Sequence, residues 1–319
     1  MQKNFKKYIL QTLAYFDIFD HPLTQEELFR YLYVAEVNLQ LNYTDFLLAL
    51  NKLVETTDLL EQNQGFYFLL GRKNIIQTRQ SRVKLVEEKM KIAVRGIKKI
   101  SQVPFVKAVF VCNTLGYGIV EEDSDIDVFI VIKKGRLFIT RALVTLYLSF
   151  LRMRRTKKKI KNKICLSFYI ADDSLNLEKT AIKNDIYLIY WLSTLVPVYD
   201  PQNFYQIIIK NNQWLNKYLL NELNNYVPNN LWKVAESKKV IKNFFEKVWS
   251  GGYGEIIEKQ AKEMQLAKMK MNLHSLQNEA DTRVVISDEM LKFHENDRRE
   301  EYRDKWLEKC NKIFNSINF

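Results

Sequence analysis

Asp125 and Asp127 stand two residues apart at the head of the apolar run Ile126–Ile132. In an extended strand the side chains at i and i+2 project to one face, so both carboxylates point the same way. Two such charges held about 4 Å apart repel by roughly 4 kcal/mol at an effective dielectric of 20. A bound cation removes that cost. Hard carboxylate oxygens suit Mg2+ or Mn2+, which also take oxygens from substrate phosphates. Such a pair can align a triphosphate and lower the charge barrier to in-line attack.

The segment Asp123-Ser124-Asp125-Ile126-Asp127 also imitates the opening of a calcium-binding loop of the EF-hand type. Position six of that loop falls on Val128 instead of glycine, and position twelve on Lys134 instead of glutamate, so this reading fails. A plain acidic turn before a buried strand is the remaining structural alternative. Two apolar strands and a glycine-containing loop around the pair favour the metal site.

The elements that must hold the pair follow from the flanking pattern. Pro104 stops a helix, and Val106–Val111 reads as a short strand rich in β-branched residues. Asn113 and Thr114 follow it, then the loop that leads to Asp125. After the Ile126–Ile132 strand, Lys133, Lys134 and Gly135 turn the chain into an apolar helix over 137–151. A third strand is expected at Ile164–Ile170, where Ser167 shares a face with Cys165 and Tyr169. Strand, strand, helix, strand predicts a small mixed sheet with helices packed on it.

Several charged groups could serve the site. Lys133, Lys134, Arg136 and Arg141 follow the second strand, and Arg141 lies on an otherwise apolar helix. It could neutralise phosphate charge or extend to solvent. Residues 152–163 carry eight Arg or Lys and no acid, the pattern of a solvated loop that could touch nucleic acid. Asp172 and Asp173 lie just past the third strand, and Asp173 is a further candidate metal ligand. Glu121, Glu122 and Asp123 read as solvent-exposed. His294, Asp297, Arg298 and Arg299 form a compact polar group on the expected last helix, either exposed or facing substrate.

The rest of the chain divides by pattern. Residues 1–75 read as three helices and a hairpin, the order of a winged helix-turn-helix, with a capping box at Thr24 and Glu27. Its third helix sets Lys52 against Asp45 and Glu55, a poor surface for phosphates, so internal or partner docking is the better expectation than DNA binding. Residues 76–103 form a long basic linking helix, 104–175 the sheet, and 176–319 a mostly helical region. There Asp185–Leu195, Asn203–Leu223, Leu231–Trp249 and Glu255–Leu276 carry helical spacing, and Ser287 is placed to cap the last helix. The fold class is therefore α+β.

Composition excludes several classes. At 319 residues and 47% hydrophobic, the chain can bury a sizeable core. Its three cysteines are far apart and its three histidines make no zinc-spaced cluster, so neither a disulfide framework nor a zinc finger is expected. The most apolar helix is too short to span a bilayer. A cytoplasmic protein without a membrane partner is expected. The net charge of +12 points to an anionic partner.

A hydrophobic strand, a small polar pair, ten intervening residues after Thr114, and Asp125-Ile126-Asp127 opening a second strand resemble the core of the polymerase-beta-like nucleotidyltransferase superfamily. The similarity covers about residues 104–175, and the specific motif about twenty of them. The order of winged-helix-like module, core and helical tail resembles bacterial nucleotidyltransferase-domain proteins. The resemblance implies a small mixed-sheet nucleotidyltransferase core. It implies Asp125 and Asp127 as catalytic metal ligands, and Asn113, Thr114, Ser124 and Arg141 near the nucleotide. A nucleoside monophosphate would move from an NTP to a hydroxyl of a small molecule, protein or RNA. Two departures stand out. Asn113-Thr114 replaces the family's Gly-Ser pair, and the third strand lacks the acid that acts as base. The alternative is a catalytically weak or inactive nucleotide-sensing regulator that binds DNA or protein through its N-terminal module.

Overall fold

The computed structural model describes residues 2–34, 42–219, 230–236, 240–271, 279 and 281–315. The chain begins with α1 (Gln2–Asp17), the short strand β1 (Leu23–Thr24), α2 (Gln25–Arg30) and α3 (Tyr43–Thr56). The hairpin β2 (Leu60–Asn63) and β3 (Phe66–Leu69) follows, and β1 pairs on β3 to make a three-stranded antiparallel sheet in the order β1-β3-β2. The Thr24–Glu27 capping box forms as expected, with Thr24 Oγ1 accepting from Glu27 N and Glu27 Oε2 accepting from Thr24 N. Asn42 caps α3, its Oδ1 accepting from Thr44 N at 2.8 Å.

The long helix α4 (Ile75–Ile100) leads into β4 (Val106–Val111), the five-residue helix α5 (Asn113–Tyr117), β5 (Ile126–Ile132), α6 (Leu137–Phe150) and β6 (Ile164–Ala171). Next come α7 (Ile186–Ser193), β7 (Val196–Tyr199), α8 (Phe204–Asn211), α9 (Val240–Val248) and α10 (Gly252–Lys270). The hairpin β8 (Val284–Ile286) and β9 (Met290–Phe293) and the helix α11 (Arg299–Asn315) close the chain. The main sheet has six strands in the order β7-β4-β5-β6-β9-β8, and only the β5–β6 pair is parallel.

The mixed α+β class is what forms, but the region after residue 176 is less helical than its pattern suggests. It supplies three of the six strands. Val196-Pro197-Val198-Tyr199 is a four-residue edge strand, where proline is tolerated and too few residues exist to display a period. Ser287 turns a hairpin instead of capping a helix: its Oγ accepts from Glu289 N at 3.2 Å and Met290 N at 3.0 Å, and α11 starts only at Arg299. The helix expected from Asn203 stops at Asn211. The buried Asn212 amide donates to Leu175 O and Ile208 O, and its Oδ1 accepts from Leu177 N, which ties the chain back to the loop after β6. A 3-10 turn over Gln213–Lys217 follows; the expected continuation to Leu223 lies outside the described residues. The expected helix 231–249 begins as a 3-10 turn, Asn230–Trp232, and only Val240–Val248 is α-helical; 272–276 of the next helix are also outside the described residues.

Alternation along β4 and β5 gives the sheet two buried faces; on β6 the register against β5 shifts between Asp127 and Phe129, so Tyr169 falls on the face opposite Cys165 and Ser167 instead of sharing it as expected. Ala108, Phe110, Phe129, Val131, Phe168 and Ile170 pack on α7, whose Trp191 ring meets Phe129 and Phe168 at 5.3 and 5.6 Å. Val109, Val111, Val128, Ile130, Ile132 and Tyr169 pack on α4 and α6. The linking helix is thus part of the core. At Gly96 it approaches β6 so closely that an added Cβ would sit 2.8 Å from Ile164. Packing also runs across the boundary at residue 75. Tyr15 of α1 stacks on Tyr190 of α7 at 4.5 Å, and Trp306 Nε1 of α11 donates to Gln11 O at 2.9 Å. Among the described residues no helix is long and apolar enough to cross a membrane.

Candidate metal centre

Three local devices hold the Asp pair. Cys112 N at the end of β4 donates to Asp127 O at 3.2 Å, which fixes the start of β5 against the turn into α5. Ile126 N donates to Lys163 O at 2.9 Å, which pins it on the other side. Beneath the loop, the fully buried Lys89 of α4 spends its ammonium protons on Glu122 O at 3.1 Å, Ser124 O at 2.8 Å and Asn162 Oδ1 at 2.9 Å. Lys89 is a cation that the sequence shows only as one of many on a basic helix.

Asp125 and Asp127 share the sheet face that carries Phe129 and Val131, as strand alternation requires. In the β5–β6 register Asp127 stands opposite Cys165. Carboxylate oxygens of both aspartates and Cys165 Sγ lie within 4.8 Å of one another. Burial, and then the neighbouring Asp125 charge, push the Asp127 carboxyl up to about 6; hydrogen bonds from Asn113 and Cys165 act in the opposite sense. Burial, with the Asp127 charge, also holds the Cys165 thiol far above its ordinary range. Arg155 Nε meets Asp125 Oδ2 at 2.7 Å.

Asn113 explains one departure from the Gly-Ser pattern. Its φ is 53°, a left-handed conformation that asparagine tolerates better than most residues. Its Oδ1 accepts from Trp191 Nε1 at 2.6 Å and from Tyr187 Oη at 3.4 Å, so α7 orients the amide that serves Asp127. The α5 turn is tight: a Cβ on Gly116 would lie 2.7 Å from Thr194 O.

The pair opens on a cavity of about 500 Å3. Asn113, Arg155, Lys157 and Cys165 border it near the carboxylates, and Tyr187 and Trp191 give it an aromatic wall. The opposite wall comes from β9 and the start of α11. There Ser167 Oγ and His294 Nε2 are 3.1 Å apart, and burial pushes His294 down to about 3. Arg299 is enclosed by Asp297, by Asp185 at 3.0 Å, by Thr180 O at 2.7 Å and by Thr282 Oγ1 at 2.8 Å. Lys292 donates to Asp297 at 3.2 Å and to Thr282 O at 2.6 Å; burial, then Arg299, lower it to about 8. These charges satisfy one another and clasp β9 and α11 to α7. The polar group around His294 therefore does face the cavity, mostly as its framework.

Other expected site residues lie elsewhere. Thr114 is exposed and does not border the cavity. Ser124 Oγ donates to Glu121 O at 2.9 Å, so it closes its own loop. Arg141 points into the other side of the sheet. It bonds Gln265 of α10 and lies 4.6 Å above the Phe293 ring, because α6 covers the face opposite the aspartates. Asp173 cannot join the pair: β5 and β6 run parallel, so it sits at the far end of the sheet, where Lys134 binds it at 2.7 Å. Lys133, Lys134 and Arg136 are at that far end too, with Arg136 donating to Trp249 O at 2.9 Å. Glu122 and Asp123 pair with Lys161, an exposed loop contact. Arg155, which reaches Asp125, and Lys157, which borders the cavity, come from the basic stretch expected to be a solvated loop. Arg155 N bonds Ile164 O at 2.8 Å, which folds that stretch back along β6. Cys165 was visible only as a small apolar residue in a strand.

The chain matches no family model, no curated protein and no solved structure.

Proposed function

We infer that this protein is a metal-dependent nucleotidyltransferase, moving a nucleoside monophosphate from an NTP to a hydroxyl acceptor. The observation that carries this reading is the convergence of the Asp125 and Asp127 carboxylates at the edge of a cavity that also presents Arg155 and Lys157. The donor chemistry fits a cation: Asp127 bears a charge that burial and Asp125 disfavour, while Arg155 pairs with Asp125. Two carboxylates leave room for the waters and phosphate oxygens that Mg2+ or Mn2+ prefers. When bound, such an ion lowers the charge barrier at the phosphorus and draws the triphosphate into line.

The chain's own residues do the rest. Asn113 orients Asp127, and Lys89 fixes the loop before Asp125. Arg155, released from Asp125, and Lys157 hold phosphate oxygens. Tyr187 and Trp191 shield the reacting centre from water. In the transfer, the acceptor oxygen bonds to the α-phosphorus, its hydroxyl proton passes to solvent, and the bond to the β-phosphate oxygen breaks, with pyrophosphate leaving. About 500 Å3 lies within the ~300–1,000 Å3 usual for small-ligand sites, so a nucleotide is a suitable occupant. The exposed cations between residues 157 and 163 extend from the cavity edge and suit an anionic acceptor such as an RNA end. The resemblance of residues 104–175 to the polymerase-beta-like core supports this reading, as does the placement of β4, α5, β5 and β6. The N-terminal order of helices and strands supports a winged-helix-like module, and cytoplasmic residence remains the expectation.

One observation favours the second reading, a nucleotide-sensing regulator with little or no transfer activity: Cys165, and no acid, faces Asp127 from β6. Incubation with NTPs labelled at the α-phosphate, Mg2+ or Mn2+, and candidate acceptors separates the two. Label transfer lost in Asp125→Asn and Asp127→Asn supports the enzyme. Metal-dependent nucleotide binding without transfer to any acceptor supports the regulator. Nucleotide binding unchanged by either substitution sinks both.

A further inference from the structure

We propose that Cys165 is the third protein ligand of this centre, and that the site selects a thiophilic divalent cation of the Zn2+ or Co2+ class over Mg2+. The inference rests on the metal-site reading above and replaces its Mg2+ or Mn2+ with a softer ion. Cys165 is placed for it by the sheet. It is in register with Asp127 across the parallel β5–β6 pair, it borders the same cavity, and its Sγ lies within 4.8 Å of oxygens from both aspartates.

A cysteine kept for packing alone would be surrounded by apolar groups. This one has polar neighbours, the Asp127 carboxylate and the Ser167 hydroxyl, close enough to act on its thiol. From that 4.8 Å spread the three atoms would have to close on the ion to meet the ~2.0–2.3 Å bond lengths of zinc to oxygen and sulfur. Two carboxylate oxygens and one sulfur would leave a four-coordinate cation one position for a substrate oxygen, and all three side chains border the cavity. The thiol proton passes to solvent when the ion binds. A thiolate is a poor partner for Mg2+ and a good one for Zn2+ and Co2+, so selectivity follows from ligand softness.

The test is titration of the metal-free full chain with Co2+, Zn2+ and Mg2+, reading the near-ultraviolet sulfur-to-cobalt charge-transfer band and the binding heat. The expected result is a Co2+ band at one ion per chain, displaced by Zn2+. Cys165→Ser should remove the band although Cys112 and Cys310 remain. It should also weaken Co2+ binding by roughly two orders of magnitude while leaving Mg2+ affinity nearly unchanged. Cys165→Ala repeats the comparison without a hydroxyl. Co2+ or Mg2+ binding with no band, and equal in wild type and Cys165 variants, overturns the thiol ligand and leaves the carboxylate-pair reading standing. Failure of every divalent cation to bind the wild type, or binding unaltered by Asp127→Asn, overturns both.

Discussion

Replacing Asp127 by asparagine should stabilise the metal-free protein while abolishing its metal affinity. The carboxyl is raised from an ordinary 3.8 to about 6, chiefly by burial and then by Asp125. That gap corresponds to about 3 kcal/mol of disfavoured charge. Asparagine removes the charge but cannot accept from both Asn113 and Cys165 as a carboxylate does, which returns about 1 kcal/mol. The net gain is about 2 kcal/mol. Its sign follows from a folded carboxyl that binds protons more tightly than the unfolded one. The penalty on the wild type is full above pH 6, shrinks as pH falls, and vanishes below 3.8. Urea unfolding in a chelator should therefore show the variant more stable at pH 7.5 and its advantage gone near pH 3.5. Added metal should reverse the order, since an ion at a hundred times its Kd stabilises only the wild type, by about 2.7 kcal/mol. A variant less stable than wild type in chelator at pH 7.5 would refute the electrostatic account of the site.

Arg155→Gln should act in opposite directions on the two ligands. The guanidinium is 44% exposed and Asp125 20%, so their pair is worth at most about 1 kcal/mol, and its loss should raise Mg2+ or Mn2+ affinity a few-fold. Nucleotide affinity should fall about tenfold through the lost phosphate contact, and weaker metal binding measured by calorimetry would count against the competition. Lys89→Met should strip partners from Glu122 O, Ser124 O and Asn162 and destabilise the fold by about 3 kcal/mol. Faster amide exchange confined to residues 121–125 and 162 should accompany it; an unchanged loop would show that Lys89 does not position Asp125. Acid should unfold the protein through its neutral imidazoles. Burial lowers His21 and His294 from 6.5 to about 3, so the stability they contribute is present above pH 6.5 and is lost as pH falls towards 3. Near pH 5 unfolding should take up about two protons at these residues, partly offset by Asp127, whose sign is opposite. The slope of stability against pH should thus be steeper in Asp127→Asn, and a slope unchanged in a His21→Gln, His294→Gln double variant would contradict the assignment.

Much of the fold is legible locally. Short, continuous apolar runs mark β4, β5 and β6, and the Thr24–Glu27 box marks α2, because each of these rests on neighbours a few residues away. The same rule places Asp125 and Asp127 on one face. What the sequence does not display is pairing between distant segments. β7, β8 and β9 are three or four residues long and exist because β4 and β6 offer them edges. Ser287 has the chemistry of both a helix cap and a turn, and only the β9 partner decides between them.

The site divides along the same line. By itself the sequence determined the carboxylate pair, the strand that carries it, and the absence of an acid from β6. The tertiary structure decided everything that reaches the pair from elsewhere. The parallel register put Cys165 beside Asp127 and sent Asp173 to the opposite end of the sheet. The placement of α6 on the other face took Arg141 away, and the folding back of the basic stretch brought Arg155 in. Each is a contact between residues whose separation in the chain has no local signature. A short-range pattern can state which atoms leave a strand on one side, while sheet order and packing choose what stands opposite them.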